Sequence, residues 1–416
     1  MGNEGGGERR AASALPSIVL FFLSAVFFSW AHFLRGSGGS DPAALRPFDL
    51  AAAGMKGDVV LPMLESCARR WEGTARGAVC RAVDGRKLAE FASRAARREW
   101  NPFGVLERHG RVLEFLGIVP PGFDYPARLS RLYARGVSGF FYPHTGEIVL
   151  ASGSPFPERV LAHEFEHFLQ YRNSPIETAR FDAFLALDFD RYTALRALEE
   201  GDAEEAERAA LSLLAPPFLS RRRRAERRAG GEGGDFGPPL LAKLESWPYE
   251  AGAEWARKVH DKGEWFRRCR ELRTADLLAC RLPPRRGLRR PFTFEPPPEK
   301  VRARCGPVLL ALFLEGAGVR GVGVREAAAL LLDDWLTLSS RGGWWRMEMK
   351  DAASAERLGR SIAAALGAGG DFDGGPFAGK DGWRLVSWRG NVLLLTGRCD
   401  SPEALGETMR AMEEER

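Results

Sequence analysis

The spacing of hydrophobic residues changes twice along the chain, and each change predicts a different kind of secondary structure. From about Phe48 to Gly136 apolar residues recur every three or four positions, which predicts a series of amphipathic helices. The next stretch, VSGFFYPHTGEIVLAS, contains two short β-prone runs around a Pro-His-Thr-Gly turn and predicts a β-hairpin. Helical spacing then returns in residues 157–172, PERVLAHEFEHFLQYR, and in a second helix over residues 190–214.

The later pattern predicts a C-terminal unit of a different kind. A basic, glycine-containing stretch over residues 219–238 predicts a mobile, solvated loop, and residues 291–304 form a proline-rich linker. Within residues 305–416, WWRMEMK, WRLVSWRG and NVLLLTG are strand-like, and helical segments follow the first and the last of them. This order predicts a sheet with antiparallel strands and helices on one face. The predicted fold class is therefore α+β, with a mainly helical core over residues 48–290 and a C-terminal α/β unit.

The N-terminus carries a long apolar run. No Asp, Glu, Lys or Arg occurs in the 24 residues between Arg10 and Arg35. Such a run can cross the roughly 30 Å hydrocarbon layer of a membrane as one helix, so residues 1–34 are predicted to be either a retained transmembrane anchor or a cleaved signal peptide. The arginines before the run favour an extracytoplasmic location for the rest of the chain. Residues 35–47, which contain Gly, Ser and Pro, form a tether.

Charge and cysteine content narrow the class of protein. The net charge of +5 is small beside 60 basic and 55 acidic side chains, so no nucleic-acid partner is predicted. None of the six cysteines forms a CxxC pair, which argues against a cysteine zinc site. An even number of cysteines in an exported chain predicts disulfides. If the chain instead stays in a reducing compartment, the alternative is six free buried thiols. Pairing the cysteines that are close in sequence joins Cys67 with Cys80 and Cys269 with Cys280, and leaves Cys305 with Cys399.

The segment VLAHEFEHFLQ carries the candidate chemistry. Positions four apart on a helix lie on one face, so His163 and His167 can direct ring nitrogens at one zinc ion. Glu164, next to the first ligand, can accept a proton from metal-bound water. Glu166 lies on a different face and is predicted to be solvated. A five-residue match of this type arises by chance in roughly one chain of this length in a hundred, so the motif alone leaves an ordinary helix as an alternative.

A catalytic zinc site needs three protein ligands and one open position. The downstream segment ALEEGDAEEAE offers Glu200 and Glu204 one turn apart on the second predicted helix. One of them can bind metal while the other supports a ligating histidine. The alternative for this acidic run is a solvated helix surface.

HEFEH followed by EEGDA on a later helix resembles the gluzincin class of zinc metallopeptidases. The resemblance implies His163, His167 and Glu200 as ligands of one zinc ion, Glu164 as general base and Glu204 as the supporting acid. The order GFFYPHTGEIVL, HEFEHFLQ, EEGDA and WPYEAG is also similar to a group of exported bacterial and archaeal proteins, over residues from about 113 to the C-terminus. The chain departs from that group after HEFEHFLQ, where it reads YR.

The resemblance also implies where substrate binds. The hairpin strand Gly146–Ala151 would be an edge strand that pairs with an extended peptide, or alternatively only a cover for the core. Tyr249, Tyr142 and His260 are candidates for stabilising the oxyanion. The expected function is an exported or membrane-anchored zinc peptidase that acts on a peptide or protein substrate. The alternative is an extracytoplasmic zinc-binding scaffold or adaptor without turnover.

Overall fold

The computed structural model has an α+β fold, as the sequence predicts. The N-terminal run and the tether, residues 1–47, lie outside the described residues, as does most of the proline-rich linker. The described residues are 54–71, 78–98, 101, 104–136, 138–142, 146–229, 237–283, 300–369 and 372–414.

One prediction about the N-terminus is corrected. In the described part of the chain, no helix combines the length and the apolar character that crossing a membrane requires. The predicted transmembrane helix therefore has no counterpart among the described helices, and the apolar run within residues 1–34 lies outside them.

The first part of the chain contains eleven of the described helices and one small sheet. The helices, numbered in chain order, are α1 (Gly57–Arg69), α2 (Gly85–Arg98), α3 (Val105–Phe115), α4 (Tyr125–Gly136), α5 (Pro157–Asn173), α6 (Ile176–Leu185), α7 (Phe189–Leu211), α8 (Pro216–Ala229), α9 (Pro239–Lys258), α10 (Lys262–Arg268) and α11 (Thr274–Leu278). The strands are β1 (Val79–Asp84), β2 (Gly139–Tyr142) and β3 (Glu147–Ser152).

The hairpin is confirmed, but its place in the sheet differs from the prediction. Strands β2 and β3 pair antiparallel, and β1 pairs parallel with the other side of β3, which gives the order β1-β3-β2. The strand over Gly146–Ala151 is therefore central and cannot accept a peptide by edge pairing. Strand β2 is the edge next to α5. The sequence pattern did not predict β1, because helical spacing surrounds it and its six residues Val79–Asp84 are too few to establish a period of two.

Helices α5 and α7 begin where local signals place them. Pro157 occupies the first turn of α5, where its missing N–H costs no hydrogen bond. The side chain of Asp188 accepts a hydrogen bond from the backbone N–H of Arg191 and caps α7. Helix α5 is buried almost throughout, because the three-stranded sheet, α1 and α7 all pack against it.

A close helix crossing joins two of the sequence islands. Gly201 of EEGDA lies on α7 and Gly252 of WPYEAG lies on α9. A Cβ on Gly201 would lie 2.2 Å from the carbonyl oxygen of Gly252, and a Cβ on Gly252 would lie 2.2 Å from the carbonyl oxygen of Ala197. The two backbones thus touch directly, which only glycine permits. This crossing brings the end of WPYEAG against the helix that carries Glu200.

The C-terminal unit contains a six-stranded antiparallel sheet with the order β4-β5-β6-β9-β8-β7. The three predicted strands and the two predicted helices are present; β4, β5 and β7 extend the sheet, and β4 occupies residues assigned to the linker. The elements are β4 (Val301–Ala303), α12 (Gly306–Gly316), α13 (Val324–Leu330), β5 (Leu331–Ser339), β6 (Gly342–Met349), α14 (Ala352–Leu366), β7 (Gly375–Gly379), β8 (Gly382–Arg389), β9 (Val392–Thr396) and α15 (Pro402–Glu413).

The helical part and the C-terminal sheet share one hydrophobic core. Leu195 of α7, Leu310 of α12 and Trp345 of β6 belong to the same buried cluster. Asp334 on β5 accepts hydrogen bonds from the backbone N–H groups of Cys305 and Gly306 and so ties the start of α12 to the sheet. The two parts are therefore packed together through α12.

The predicted disulfides are wrong, because no disulfide joins any two of the six cysteines. Cys67 and Cys80 lie on a helix and a strand and are buried as small apolar side chains. Cys305 and Cys399 belong to different hydrophobic clusters, so that pair is separated by the packing of the sheet. Short sequence separation does not bring Cβ atoms together when each residue is fixed in its own element.

The predicted mobile loop over residues 219–238 begins as a helix. Helix α8 covers Pro216–Ala229 and includes the arginine run. Arg222 contacts Glu158 of α5 at 2.7 Å, so one of these arginines is held against the folded core. Residues 230–236 lie outside the described residues.

Candidate metal centre

Three side chains converge between α5 and α7. His163 and His167 are one turn apart on α5, with their Nε2 atoms 3.1 Å from each other. Glu200 of α7 lies opposite: Oε2 is 3.3 Å from Nε2 of His163, and Oε1 is 3.6 Å from Nε2 of His167. All three side chains are buried. The structure thus brings the three predicted ligands together, and this group can bind a metal ion.

The separations between the three donors suit a small ion with four ligands. Ligands about 2.0–2.1 Å from a tetrahedral zinc ion lie about 3.3–3.4 Å apart. The observed 3.1, 3.3 and 3.6 Å fall around that value. In the described part of the chain, neither oxygen of Glu200 receives a hydrogen bond of normal geometry, although both are buried. A buried carboxylate without hydrogen bonds costs free energy unless a cation lies beside it, so the donor set fits a metal.

Each histidine is oriented by a contact at its outer nitrogen. Nδ1 of His167 is 2.9 Å from Oε1 of Gln170. The amide nitrogen of Gln170 donates to the carbonyl oxygen of Glu199 at 2.9 Å and to Oδ2 of Asp202 at 3.2 Å. These two donations turn the amide oxygen toward the ring, so Nδ1 donates and the Nε2 lone pair faces the metal position.

Glu207 has the corresponding role at the other histidine. Its Oε2 is 3.5 Å from Nδ1 of His163, and its Oε1 accepts a hydrogen bond of 2.6 Å from Nε of Arg159. The resemblance assigned this support to Glu204, but the contact with His163 comes from Glu207, one turn further along α7. Burial raises the pKa of Glu204 to about 7, while the positive charge of His163 opposes the rise.

The electrostatics of the two histidines differ. Burial lowers the pKa of His163, but the carboxylates of Glu200 and Glu207, at 3.3 and 3.5 Å, outweigh it and hold this pKa well above its ordinary value. Burial and the charge of His163 hold the pKa of His167 well below its ordinary value. Burial also raises the pKa of Glu200, against the effect of His163. A metal ion would replace the proton of His163 as the positive charge between the rings and the carboxylate.

Glu164 faces the edge strand. Its Oε2 accepts a hydrogen bond of 2.8 Å from the backbone N–H of Phe141, while Oε1 is buried and has no hydrogen-bond partner among the described residues. Burial raises the pKa of Glu164 to about 8, although the charge of His163 and the Phe141 N–H both lower it. One oxygen is therefore fixed by the sheet and the other is available to accept a proton.

The prediction that Glu166 is solvated is wrong. This side chain is fully buried, and its Oε1 accepts a hydrogen bond of 2.5 Å from the indole of Trp71. Arg70 lies between Glu166 and Asp202 and pairs with both, which links α1 to α5 and α7. Sequence reasoning missed this network because Arg70 and Trp71 stand 95 or more positions before their partners. Asp202, the only D of EEGDAEE, was the available signal.

The three candidates for oxyanion stabilisation lie in different surroundings. Tyr249 on α9 is buried, and its pKa is held well above the ordinary value by burial and by the negative charge of Glu200. Tyr142 ends β2 and packs edge-on against Phe140. His260 is exposed in the turn after α9. The effect of Glu200 on its pKa indicates that Tyr249 lies near the metal-binding group.

Sequence reasoning also missed the groups that hold the third ligand helix in place. Arg180 of α6 is fully buried and pairs with Glu199, the residue before Glu200. The segment after the motif helix carried no signal for this contact.

Comparison of the chain with protein-family models, with curated proteins and with solved structures found no match.

Proposed function

We propose that this chain is a zinc-dependent peptidase. The observation that supports the proposal most directly is the position of Glu164 beside the His163, His167 and Glu200 group, with one oxygen held by the edge strand and the other unpaired among the described residues. A metal site that serves only stability needs three or four ligands and no adjacent base. This arrangement has both a ligand set and a base.

The ligand set favours zinc over harder cations. Two imidazole nitrogens and one carboxylate are donors that zinc accepts readily, whereas magnesium and calcium prefer oxygen ligands. Zinc bound there would polarise the scissile carbonyl group and lower the pKa of a nearby water molecule. His163, His167 and Glu200 would hold the ion, and Gln170 and Glu207 would fix the ring orientations.

Glu164 would act as the general base. Its Oε1 would take the proton from the attacking water and pass it to the amide nitrogen of the leaving group. The hydrogen bond from Phe141 to Oε2 keeps the carboxylate in one rotamer during this transfer. General-base catalysis of this type is worth about 10²–10⁴-fold in rate.

Strand β2 supports an extended peptide as the substrate class. It is the edge of the three-stranded sheet, and the N–H of Phe141 points away from β3 toward Glu164. Backbone groups on this edge can pair with an extended chain and bring its peptide bond to the metal. Tyr249 is the proposed donor to the developing negative charge, because the charge of Glu200 contributes to its raised pKa and so indicates that the phenol lies near the metal-binding group.

One observation favours a second candidate, a closed zinc site that only stabilises the protein. His163 and His167 are 2% exposed, and Glu164 and Glu200 are fully buried. Structural zinc sites are closed, whereas catalytic sites keep a position open to substrate. A peptidase would therefore need a movement that opens the site beside β2.

Two measurements distinguish these candidates. The first is the zinc content of the purified protein after dialysis, expected to be one ion per chain and lost in His163→Ala. The second is cleavage of a broad peptide library by the zinc-loaded protein. Cleavage that chelation abolishes and zinc restores would support the peptidase. Stoichiometric zinc without cleavage of any peptide would support the closed stabilising site, and absence of bound zinc would contradict both.

A further inference from the structure

The two faces of the C-terminal sheet are covered unequally. Helices α12 and α14 cover one face, where Phe313 stacks edge-on against Trp345 at 5.7 Å and Gly359 packs closely on Trp388. Helix α15 covers only one end of the opposite face, through Met412 and its neighbours in a small separate cluster. The uncovered part of this opposite face forms a cavity of about 710 Å³.

Basic and aliphatic side chains line this cavity, which we call the sheet groove. Its arginines are Arg302, Arg346 and Arg389, and its floor includes Val392 and Leu394. A cavity of this size is in the usual range for binding a small molecule or a short peptide segment. The groove lies away from the metal-binding group, which belongs to α5 and α7.

The strand register gives the arrangement of these side chains. Trp335 of β5 lies opposite Arg346 of β6, which in turn lies opposite Leu394 of β9. Val392, two residues before Leu394, lies opposite Arg389 of β8. Because residues two apart on a strand share a face, Val392 and Leu394 form an apolar patch between Arg346 and Arg389.

Two arginines of the groove are available to a ligand. Arg346 and Arg389 are exposed, and neither forms an ion pair with a carboxylate in the described part of the chain. Trp335 is 44% exposed, and the guanidinium of Arg304 covers one side of its ring at 4.7 Å from the centroid. An exposed tryptophan beside exposed arginines is typical of binding surfaces.

The same face also carries acidic groups. Glu348 follows Arg346 by two residues on β6 and lies opposite Val392. Asp333 pairs with Arg304 at 2.8 Å and is neutralised by it. Arg346 and Arg389 together with Glu348 give this part of the groove a positive but not uniform charge. A continuous row of phosphates would meet Glu348, whereas separated carboxylates can avoid it.

We propose that the sheet groove binds an acidic polypeptide segment in which carboxylates flank apolar side chains. The carboxylates would pair with Arg346 and Arg389, and an apolar side chain would lie on Val392 and Leu394 beside Trp335. Arginine pairs with carboxylates through two parallel hydrogen bonds, which adds specificity. Single-stranded nucleic acid is the other class of ligand that arginine and tryptophan attract, but Glu348 and the aliphatic floor disfavour it.

The test measures binding of a fluorescein-labelled peptide of alternating aspartate and leucine by the full-length protein, using fluorescence anisotropy at about 0.1 M salt. The double variant Arg346→Glu plus Arg389→Glu is expected to raise Kd at least tenfold, and Trp335→Ala at least threefold. Arg357→Glu is the matched control, because Arg357 is an exposed arginine on α14, across the sheet. This control should bind as the parent does.

Two further probes identify the ligand class. A peptide with asparagine in place of aspartate should bind at least tenfold more weakly, and an oligothymidylate should compete only weakly. Equal binding by the parent and the double variant, or no binding of the acidic peptide, would overturn the proposal. Tight oligothymidylate binding that the double variant loses would also overturn it in favour of a nucleic acid. Metal content and peptidase activity do not enter this assay, so its failure is separate from that of the proposed function.

Discussion

Glu164 has two carboxylate oxygens in different surroundings, and a single substitution at this residue tests whether it is the base. Glu164→Gln keeps the shape and can still accept the Phe141 N–H bond, but it removes the basic oxygen. We expect zinc to stay bound and peptide cleavage to fall by about 10²-fold or more. Zinc content and turnover of the same preparation are the measurements.

A matched control comes from the helix that carries Glu200. Glu205→Gln on α7 makes the same chemical change at a surface residue that pairs with Arg208. This variant should keep both zinc and turnover. If Glu164→Gln cleaves as fast as Glu205→Gln, Glu164 is not the base.

Gln170 is a positioning residue whose effect should appear in metal affinity. Gln170→Leu removes the acceptor for Nδ1 of His167 and frees the ring to adopt the wrong tautomer. Loss of such an outer contact typically weakens metal binding 10–100-fold. Competition with a chromophoric chelator measures this. Asn173, three residues further along α5, donates its side-chain hydrogen bond to the Leu169 carbonyl and does not contact the metal-binding group among the described residues, so Asn173→Ala should leave the affinity unchanged. Equal affinities in the two variants would refute the assigned role.

At the scale of elements, the crossing of α7 and α9 depends on two glycines. Gly252→Ala would place a Cβ 2.2 Å from the carbonyl oxygen of Ala197, so the helices must separate. Overpacking of this type costs about 1–3 kcal/mol, which urea denaturation can measure. Gly406→Ala on α15 has open space around the added Cβ and should be neutral or slightly stabilising. If both variants unfold at the same urea concentration, the backbones are not in contact.

The tie between α12 and the sheet should make stability depend on pH. Burial raises the pKa of Asp334 from 3.8 to about 6, although the Trp345 indole and two backbone N–H groups bond to the carboxylate and lower it. The folded state therefore binds this proton more tightly than the unfolded state. The resulting contribution is fully present below pH 3.8 and is lost as pH rises through about 6; a rise of this size corresponds to about 3 kcal/mol.

Asp334→Asn isolates this contribution because asparagine does not titrate. As the pH rises from about 4 to about 7, the free energy of unfolding of the variant should rise relative to that of the parent, because the parent loses the Asp334 contribution. Urea denaturation of both proteins across this range provides the comparison. A constant difference would show that Asp334 does not change its proton affinity on folding.

At the scale of the whole molecule, zinc binding should stabilise the fold. The donors come from α5 and α7, so the site exists only when these helices are packed. An ion that binds the folded state alone adds about 4 kcal/mol when its concentration is a thousand times Kd. We expect zinc to raise Tm of the parent, chelation to lower it, and His163→Ala to abolish the difference. A Tm that does not respond to zinc would argue against binding.

The sequence predicted what depends on local spacing. The motif helix, predicted over residues 157–172, spans Pro157–Asn173, and the third-ligand helix, predicted over residues 190–214, spans Phe189–Leu211. Proline in the first turn, an N-terminal cap and apolar periodicity act within a few residues, so they can be recognised in the chain itself. The same holds for the hairpin and for three of the six C-terminal strands.

The tertiary structure decided which residues meet. The sequence placed two histidines on one face of a helix, but only packing selected Gln170 and Glu207 as their outer contacts and made strand β2 the edge. Packing also buried Glu166 against Trp71 and kept the six cysteines from forming disulfides. Periodicity records which side of an element is apolar, whereas a contact such as Trp71 with Glu166 spans 95 positions and depends on how separate elements are arranged in space.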